Sequence, residues 1–278
     1  MKTKIVFFGT PDFAVPTLEA LIASDFCDVK LVVTQPDKPV GRHHSTLVPS
    51  PIKHLAQEAG ISITTNNQFP TTNLQLGVLV AYGNIIPQAL IDSFPLGIIN
   101  IHPSLLPTYR GSSPIQAAIL NQDKETGVTL MKLDDKMDHG PIVAQERVTL
   151  DMTETAGTLH DVLAQKGAEL LIKTLPDYSA GRIKLTPQDD SKASYTKKLS
   201  KEDGHISDNP MAQPVEPLIR AMNPWPGAWT KWQGKKLIIW SMRKDGTPLE
   251  IQLEGKKRMP YEEFLKGHPG FKITDFFS

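Results

Sequence analysis

Residues 96–114 read LGIINIHPSLLPTYRGSSP. The stretch opens as a short apolar run and ends in a loop dense in proline, glycine and serine. The run Gly97–His102 is rich in β-branched residues and reads as a strand, and its apolar content predicts burial on both faces, as in a parallel sheet. Side chains two apart on a strand share a face, so Asn100 and His102 project in the same direction. Pro103 has no N–H to donate and stops the ladder. A carboxamide and an imidazole therefore stand side by side where a strand opens into a loop, which is where open α/β sheets bind their ligands. The plainer alternative is a polar pair that closes a strand and bonds the local backbone. A bare Asn-x-His does not decide between the two.

On the N-terminal side, KIVFF (4–8) and VKLVVT (29–34) predict strands, with a helix between them whose apolar positions include Phe13, Leu18, Leu21 and Ile22. Asp12 is placed to cap that helix and Pro16 falls in its first turn. No glycine-rich phosphate motif follows the first strand, so a nucleotide site is not supported there. The second strand runs into QPDKPVGRHHSTLVPSP (35–51), read as a long proline-rich loop with a partly basic tip at Lys38, Arg42, His43 and His44. The adjacent histidines lack a third nearby ligand for a metal. VLVAY (78–82) predicts another buried strand, closed by Gly83.

On the C-terminal side, Pro114 opens a helix over 114–121. GVTLMKLD (127–134) and PIVAQERVTL (141–150) predict two strands joined by a turn. Residues 155–175 predict a long helix whose core face includes Leu159, Val162, Leu163, Leu170 and Leu171. Strands alternating with helices predict a mostly parallel α/β domain over 1–185. From there to about Gly204 the composition is polar, as in a linker. Residues 205–278 then read as a helix, a proline-tryptophan turn and short strands, which make a small β-rich domain.

The chain has 278 residues, 40% apolar and 22% charged, the profile of a soluble globular protein with a substantial core. No window approaches the apolar length of a membrane span, and the apolar run at the N-terminus is too short for a secretory signal. The one cysteine, Cys27, excludes an internal disulfide framework. A cytoplasmic protein fits these features best. Net charge is zero, but its distribution is uneven. Residues 1–191 carry 15 Lys and Arg against 20 Asp and Glu, whereas 192–278 carry 15 against 10. A basic C-terminal part suggests an anionic partner; a solvated lysine-rich surface is the alternative.

Asp138 lies in the turn DKMDHG (135–140), where a carboxylate ordinarily bonds its own backbone. With Asn100 and His102 it completes a set suited to acyl transfer. A carboxylate orients an imidazole and favours its charged form, and a carboxamide donates to a developing oxyanion. FFGTPDFAVPTLEAL (7–21), TQPDKPVGR (34–42), PSPIK (49–53), VAYGNIIP (80–87), INIHPSLLPTYRGSSPIQ (99–116), TGVTLMKLDDKMDHG (126–140), KLSKEDG (198–204) and IRAMNPWPGAW (219–229) together resemble the folate-dependent formyltransferases, and among them the tRNA-directed branch.

The resemblance implies a Rossmann-like sheet with helices on both faces and an abbreviated OB-like C-terminal domain that binds tRNA. It implies 10-formyltetrahydrofolate as formyl donor, no metal, and the α-amine of methionine on initiator tRNA as acceptor. Asn100, His102 and Asp138 fall at the family's catalytic positions. Ser104, Leu105, Leu106 and Pro107, the turn Ala81-Tyr82-Gly83 and Asp134 fall at folate-contacting positions. Arg42 and Lys38 fall in the loop that reaches tRNA. A monomer with no membrane contact is expected, with Trp225 of the NPWPG turn buried. Three features depart from the pattern: HHSTL follows Arg42 where lysines are usual, the 63–78 connection is short, and the C-terminal domain is abbreviated. The alternative acceptor is an amino group on a nucleotide-linked sugar.

Overall fold

The computed structural model describes residues 2–40, 46–207, 214–243 and 245–271. Strand β1 (Thr3–Gly9) leads through a 3-10 turn at Asp12–Ala14 into helix α1 (Val15–Ala23), and β2 (Cys27–Val33) follows. β3 (Lys38–Val40) and β4 (Thr46–Val48) pair with each other, and α2 (Pro51–Glu58) and β5 (Ser62–Thr64) come next. β6 (Leu76–Val80), α3 (Gln88–Asp92), β7 (Ile98–His102), the two-residue β8 (Arg110–Gly111) and α4 (Pro114–Leu120) carry the middle of the chain. They are followed by β9 (Glu125–Lys132), β10 (Ile142–Thr149), α5 (Ala156–Ser179) and β11 (Tyr195–Thr196). The C-terminal part holds α6 (Val215–Ala221), β12 (Ala228–Trp232), β13 (Lys235–Met242), β14 (Pro248–Leu253), β15 (Met259–Pro260) and α7 (Tyr261–Gly267).

Seven strands form the main sheet in the order β10-β9-β7-β6-β1-β2-β5. β2, β6, β5 and β7 join it through parallel pairings, and β9 pairs antiparallel with β7, so the sheet is mostly parallel as the apolar runs predict. Every residue of β7 is buried. Ile98 belongs to the core cluster of Val6, Phe8, Tyr82 and Phe94, so strand alternation places Asn100 and His102 on that face. Ile101 points to the other face, where Gly167 lets α5 approach: a Cβ on Gly167 would stand 2.7 Å from Ile101 Cγ2. The central strand is thus held by apolar contact behind and at Ile98 in front, and its front face turns polar only toward the C-terminal end, at Asn100 and His102.

Two compact units emerge. One comprises Met1–Gly111, Gly127–Val148 and His160–Tyr195; the other comprises Ser112–Thr126, Thr149–Leu159 and Thr196–Ser278. Within the second, β12, β13, β14 and β15 form an antiparallel four-stranded sheet in sequential order, the small β-rich element expected at this end. The polar stretch 186–204 carries ordered structure. Thr186 bridges to Ile142, a 3-10 turn spans Asp190–Lys192, β11 pairs with β8, and a second 3-10 turn spans Lys201–Gly204.

Several local expectations are corrected. Asp12 does not cap α1; it opens the preceding 3-10 turn and accepts the Phe13 N–H at 3.1 Å. The loop at 35–51 contains the β3–β4 hairpin. Helix α5 continues through Pro176 to Ser179, with Ala180 N–H donating to the Pro176 carbonyl, because buried Leu175 and Tyr178 keep the last turn on the core. Val162 lies off the core face at 45% exposure. Trp225 is 51% exposed, and the buried indole is Trp229, whose Nε1 donates to the Lys201 carbonyl at 2.9 Å.

Candidate active site

The end of β7 brings Asn100, His102 and Asp138 together. Asn100 Nδ2 donates to Asp138 Oδ1 at 3.4 Å. His102 Nδ1 lies 3.7 Å from Asp138 Oδ2, an ion-pair separation once the imidazole is protonated there. The other ring nitrogen, Nε2, is 2.9 Å from the Tyr109 carbonyl oxygen. A carbonyl only accepts, so Nε2 carries a proton and Nδ1 is the nitrogen turned to the carboxylate. Asn100 and His102 are almost fully buried, and the Asp138 side chain is 16% exposed. The set thus combines dry donors with a carboxylate that still meets solvent.

Each member is positioned by named contacts. Strand spacing aligns Asn100 and His102, and their β9 neighbours Met131 and Thr129 fix the register. Asp138 adopts a left-handed conformation, φ 47°, as do Ala81 at 46° and Tyr109 at 62°. For residues other than glycine such backbone costs about 1–3 kcal/mol, and its surroundings must hold it. The Gly111 N–H donates to Asp138 Oδ2 at 2.8 Å. Gly140 closes the same turn so tightly on β9 that a Cβ there would stand 1.8 Å from the Lys132 carbonyl oxygen.

Behind this turn lies a buried cation that sequence reading missed. Arg110 is 1% exposed, and its guanidinium donates to Gln188 Oε1, to Asp190 Oδ1 at 2.8 Å and to the Tyr195 hydroxyl at 3.1 Å. Burial by itself would lower the Arg110 pKa, but the bonds to Asp190 and Tyr195 outweigh it and the net shift is upward. The same bond holds the Asp190 carboxyl below its usual range, with His139 assisting. His139 lies between Asp134 and Asp190, Nδ1 at 2.7 Å from one and Nε2 at 3.4 Å from the other. An arginine inside the LPTYRG loop was the only local sign of this network.

The candidate folate contacts fall into two sets. Ala81, Tyr82 and Gly83 form the turn at the end of β6, next to β7 in the sheet; Ala81 and Gly83 are exposed and Tyr82 is buried. Tyr82 donates its hydroxyl to Asn67 at 2.9 Å, and its carbonyl accepts from Thr10 and Gln35. An exposed peptide turn beside the polar end of β7 suits a flat, hydrogen-bonding heterocycle. Ser104 and Leu106 are instead buried and bonded inward: Ser104 Oγ donates to the Thr108 carbonyl at 2.6 Å, and Leu106 N–H donates to Thr129 Oγ1 at 3.1 Å. Leu105 and Pro107 are half-buried in the same loop. Asp134 is taken up by His139 and by the Lys136 N–H. Lys38 is exposed on β3, and Arg42 lies outside the described residues. Among the described residues no cluster of metal-ligating side chains occurs, and no helix is long and apolar enough to cross a membrane.

Comparison with known proteins bears on the family of the chain. The formyl transferase pattern matches residues 3–175, and that of the formyl transferase C-terminal domain matches residues 198–248. A methionyl-tRNA formyltransferase of Lachnospira eligens is 42% identical over 306 aligned positions, covering 95% of this chain and 96% of that one. One from Heliobacterium modesticaldum is 42% identical over 256, covering 88% and 80%. In fold, the chain is similar to a methionyl-tRNA formyltransferase from Clostridium thermocellum, with a TM-score of 0.59 at 17% identity over 93% of this chain and 99% of that one. Similarity of the same kind extends to an N-formyltransferase from Helicobacter canadensis solved with folinic acid and dTDP-3-aminofucose, with a TM-score of 0.64 at 20% identity over 86% and 95%. With a family pattern covering most of the chain and relatives above 40% identity along nearly all of it, this chain belongs to the formyl transferases, in their methionyl-tRNA formyltransferase family.

Proposed function

We propose that the chain transfers a formyl group from 10-formyltetrahydrofolate to the α-amine of methionyl initiator tRNA, with Asn100, His102 and Asp138 as its catalytic residues. The observation that carries this reading is the convergence of a carboxamide, an imidazole and a carboxylate within 3.4–3.7 Å at one buried strand end. The donor supplies a formyl carbon bound to a nitrogen that departs as an amine. Asn100 uses one N–H on Asp138 and has a second with which to hold the formyl oxygen as it gains negative charge. His102, fixed by the Tyr109 carbonyl, adds a donor to that oxygen when protonated at Nδ1. Asp138 receives the proton that the attacking amine loses as the new C–N bond forms, and returns one to the departing nitrogen as the old bond breaks.

The turn Ala81-Tyr82-Gly83, the loop Ser104–Pro107 and Asp134 shape the folate site in this reading. Ser104, Leu106 and Asp134 act through loop shape, since their polar groups are already bonded within the chain. Residues 1–185 form the catalytic domain, 186–204 a connection, and 205–278 the part that meets tRNA together with Lys38 and Arg42. The chain acts as a monomer. The test is transfer of formyl from 10-formyltetrahydrofolate to methionyl initiator tRNA, with Asn100→Ala as control. Transfer is expected from the unaltered chain, and a kcat about 10²–10³-fold lower from the variant, the usual loss for one oxyanion donor. Transfer to a nucleotide-linked amino sugar in place of tRNA would overturn the acceptor assignment.

A further inference from the structure

We infer that Gln188 is a positioning residue for formyl transfer: its amide ties the buried Arg110 guanidinium to the backbone of the Asp138–Gly140 turn and thereby fixes the Asp138 carboxylate against Asn100 and His102. The inference rests on the functional reading above. Gln188 Oε1 accepts from Arg110 Nε at 3.1 Å and from Nη2 at 2.8 Å. Its Nε2 donates to the Asp138 carbonyl at 2.9 Å and to the Gly140 carbonyl at 2.8 Å. Both ends of the amide are therefore fully used, and they add a second tie between the Arg110 segment and the Asp138 turn, beside the bond from the Gly111 N–H to Asp138 Oδ2.

Three further features give this link its consequence. Asp138 sits at φ 47°, so its conformation depends on outside support. Arg110 is a fixed anchor, because Asp190 and Tyr195 hold the guanidinium on its other sides and its carbon lies 5.8 Å from the centre of the Tyr195 ring. The same segment also steadies the other partner of His102. Ser194 Oγ accepts the Tyr109 N–H at 2.9 Å, and the Ser194 carbonyl accepts the Arg110 N–H at 2.8 Å. The carbonyl and the carboxylate that hold the imidazole are both supported from residues 188–194, within a stretch that composition marks only as polar.

The chemistry requires an amide here. A carboxylate at 188 would still accept from Arg110, and its ion pair with the guanidinium would preserve the anchor. Turned to the Asp138 and Gly140 carbonyls, it would present an oxygen to two oxygens and drive the turn away. Gln188→Glu therefore separates positioning from folding. Its thermal midpoint is expected within a few degrees of the unaltered chain, while kcat falls about 10–100-fold, the scale of a misplacement of about 1 Å. KM for folate and for tRNA stays within about twofold. In an Asp138→Asn background the same change costs less than about twofold, since the group it positions is gone. Gln188→Met, which removes both halves of the link, is expected to lower kcat similarly.

Full activity of Gln188→Glu, an undiminished loss in the Asp138→Asn background, or an effect confined to KM would each overturn the proposal. Hydrogen exchange at the Gly111 amide, which donates to Asp138 Oδ2, is read in parallel. Gln188→Glu is expected to speed that exchange about tenfold or more, and unchanged exchange would overturn the link itself. Absence of any formyl transfer by the unaltered chain would overturn the functional reading instead, and the exchange result would still decide whether Gln188 fixes the turn.

Discussion

Gly140 shows how little freedom the Asp138 turn has. Any side chain there would be driven into the Lys132 carbonyl at 1.8 Å, a contact with backbone that no rotamer relieves. Gly140→Ala is expected to shift the Asp138 turn outward, lowering kcat about tenfold or more and stability by about 1–3 kcal/mol. Steady-state kinetics and urea unfolding would check the two effects. At this scale the site was partly legible. The period of a strand, two, puts Asn100 and His102 on one face, but the pair alone fits a strand that closes on its own backbone as well as it fits a site. Asp138 stands in a turn that any aspartate suits, so only the wider motif singles it out. Arg110 and Gln188 are 78 residues apart with no shared periodicity, so no local pattern links them.

The elements follow the hydrophobic pattern closely where it is strong and less closely where tertiary contact decides. β1, β2, β6 and β7 appear where runs of β-branched and aromatic residues predict them. The β3–β4 hairpin was hidden, because two three-residue strands in a proline-rich stretch bury too little to leave a period. Helix α5 runs three residues beyond Pro176 because its final turn is held from outside: the Tyr178 hydroxyl donates to the Leu96 carbonyl at 2.6 Å, two residues before β7. Burial pushes the Tyr178 hydroxyl from its ordinary 10 up to about 12. The folded chain therefore holds this proton more firmly than the unfolded chain. The group's contribution is complete below pH 10 and is lost as the pH rises through about 12. Tyr178→Phe is expected to cost about 1 kcal/mol at neutral pH, from the lost hydrogen bond. Urea midpoints measured from pH 8 to 12 should show the two proteins converging at the alkaline end; parallel curves would contradict the assignment.

Over the whole molecule the charge is divided, with the excess of lysine and arginine over residues 192–278. In the antiparallel sheet Lys231 and Lys235 are exposed, and Lys236 Nζ lies 4.3 Å from the centre of the Trp229 ring. Contacts between such groups and phosphates release counterions, each adding about 0.7–0.9 to the salt slope. KM for tRNA is therefore expected to rise with salt at a log–log slope of about 2 or more, while KM for the folate donor changes little. A flat tRNA response between 50 mM and 200 mM potassium chloride, salt levels at which about 10³–10⁵ in affinity is lost for six to ten contacts, would remove the electrostatic role.

The buried Arg110 also has a consequence for anyone who dissects the chain. A fragment cut at the first change in composition, near residue 185, would leave behind Gln188, Asp190 and Tyr195 and strip the Arg110 guanidinium of its bonds to them. Removing the partners of a buried charge costs about 3–5 kcal/mol, a large part of what holds a domain of this size together. A fragment that stops before Tyr195 is therefore expected to be less stable than one that keeps residues 188–195, a difference that urea unfolding of the two would measure.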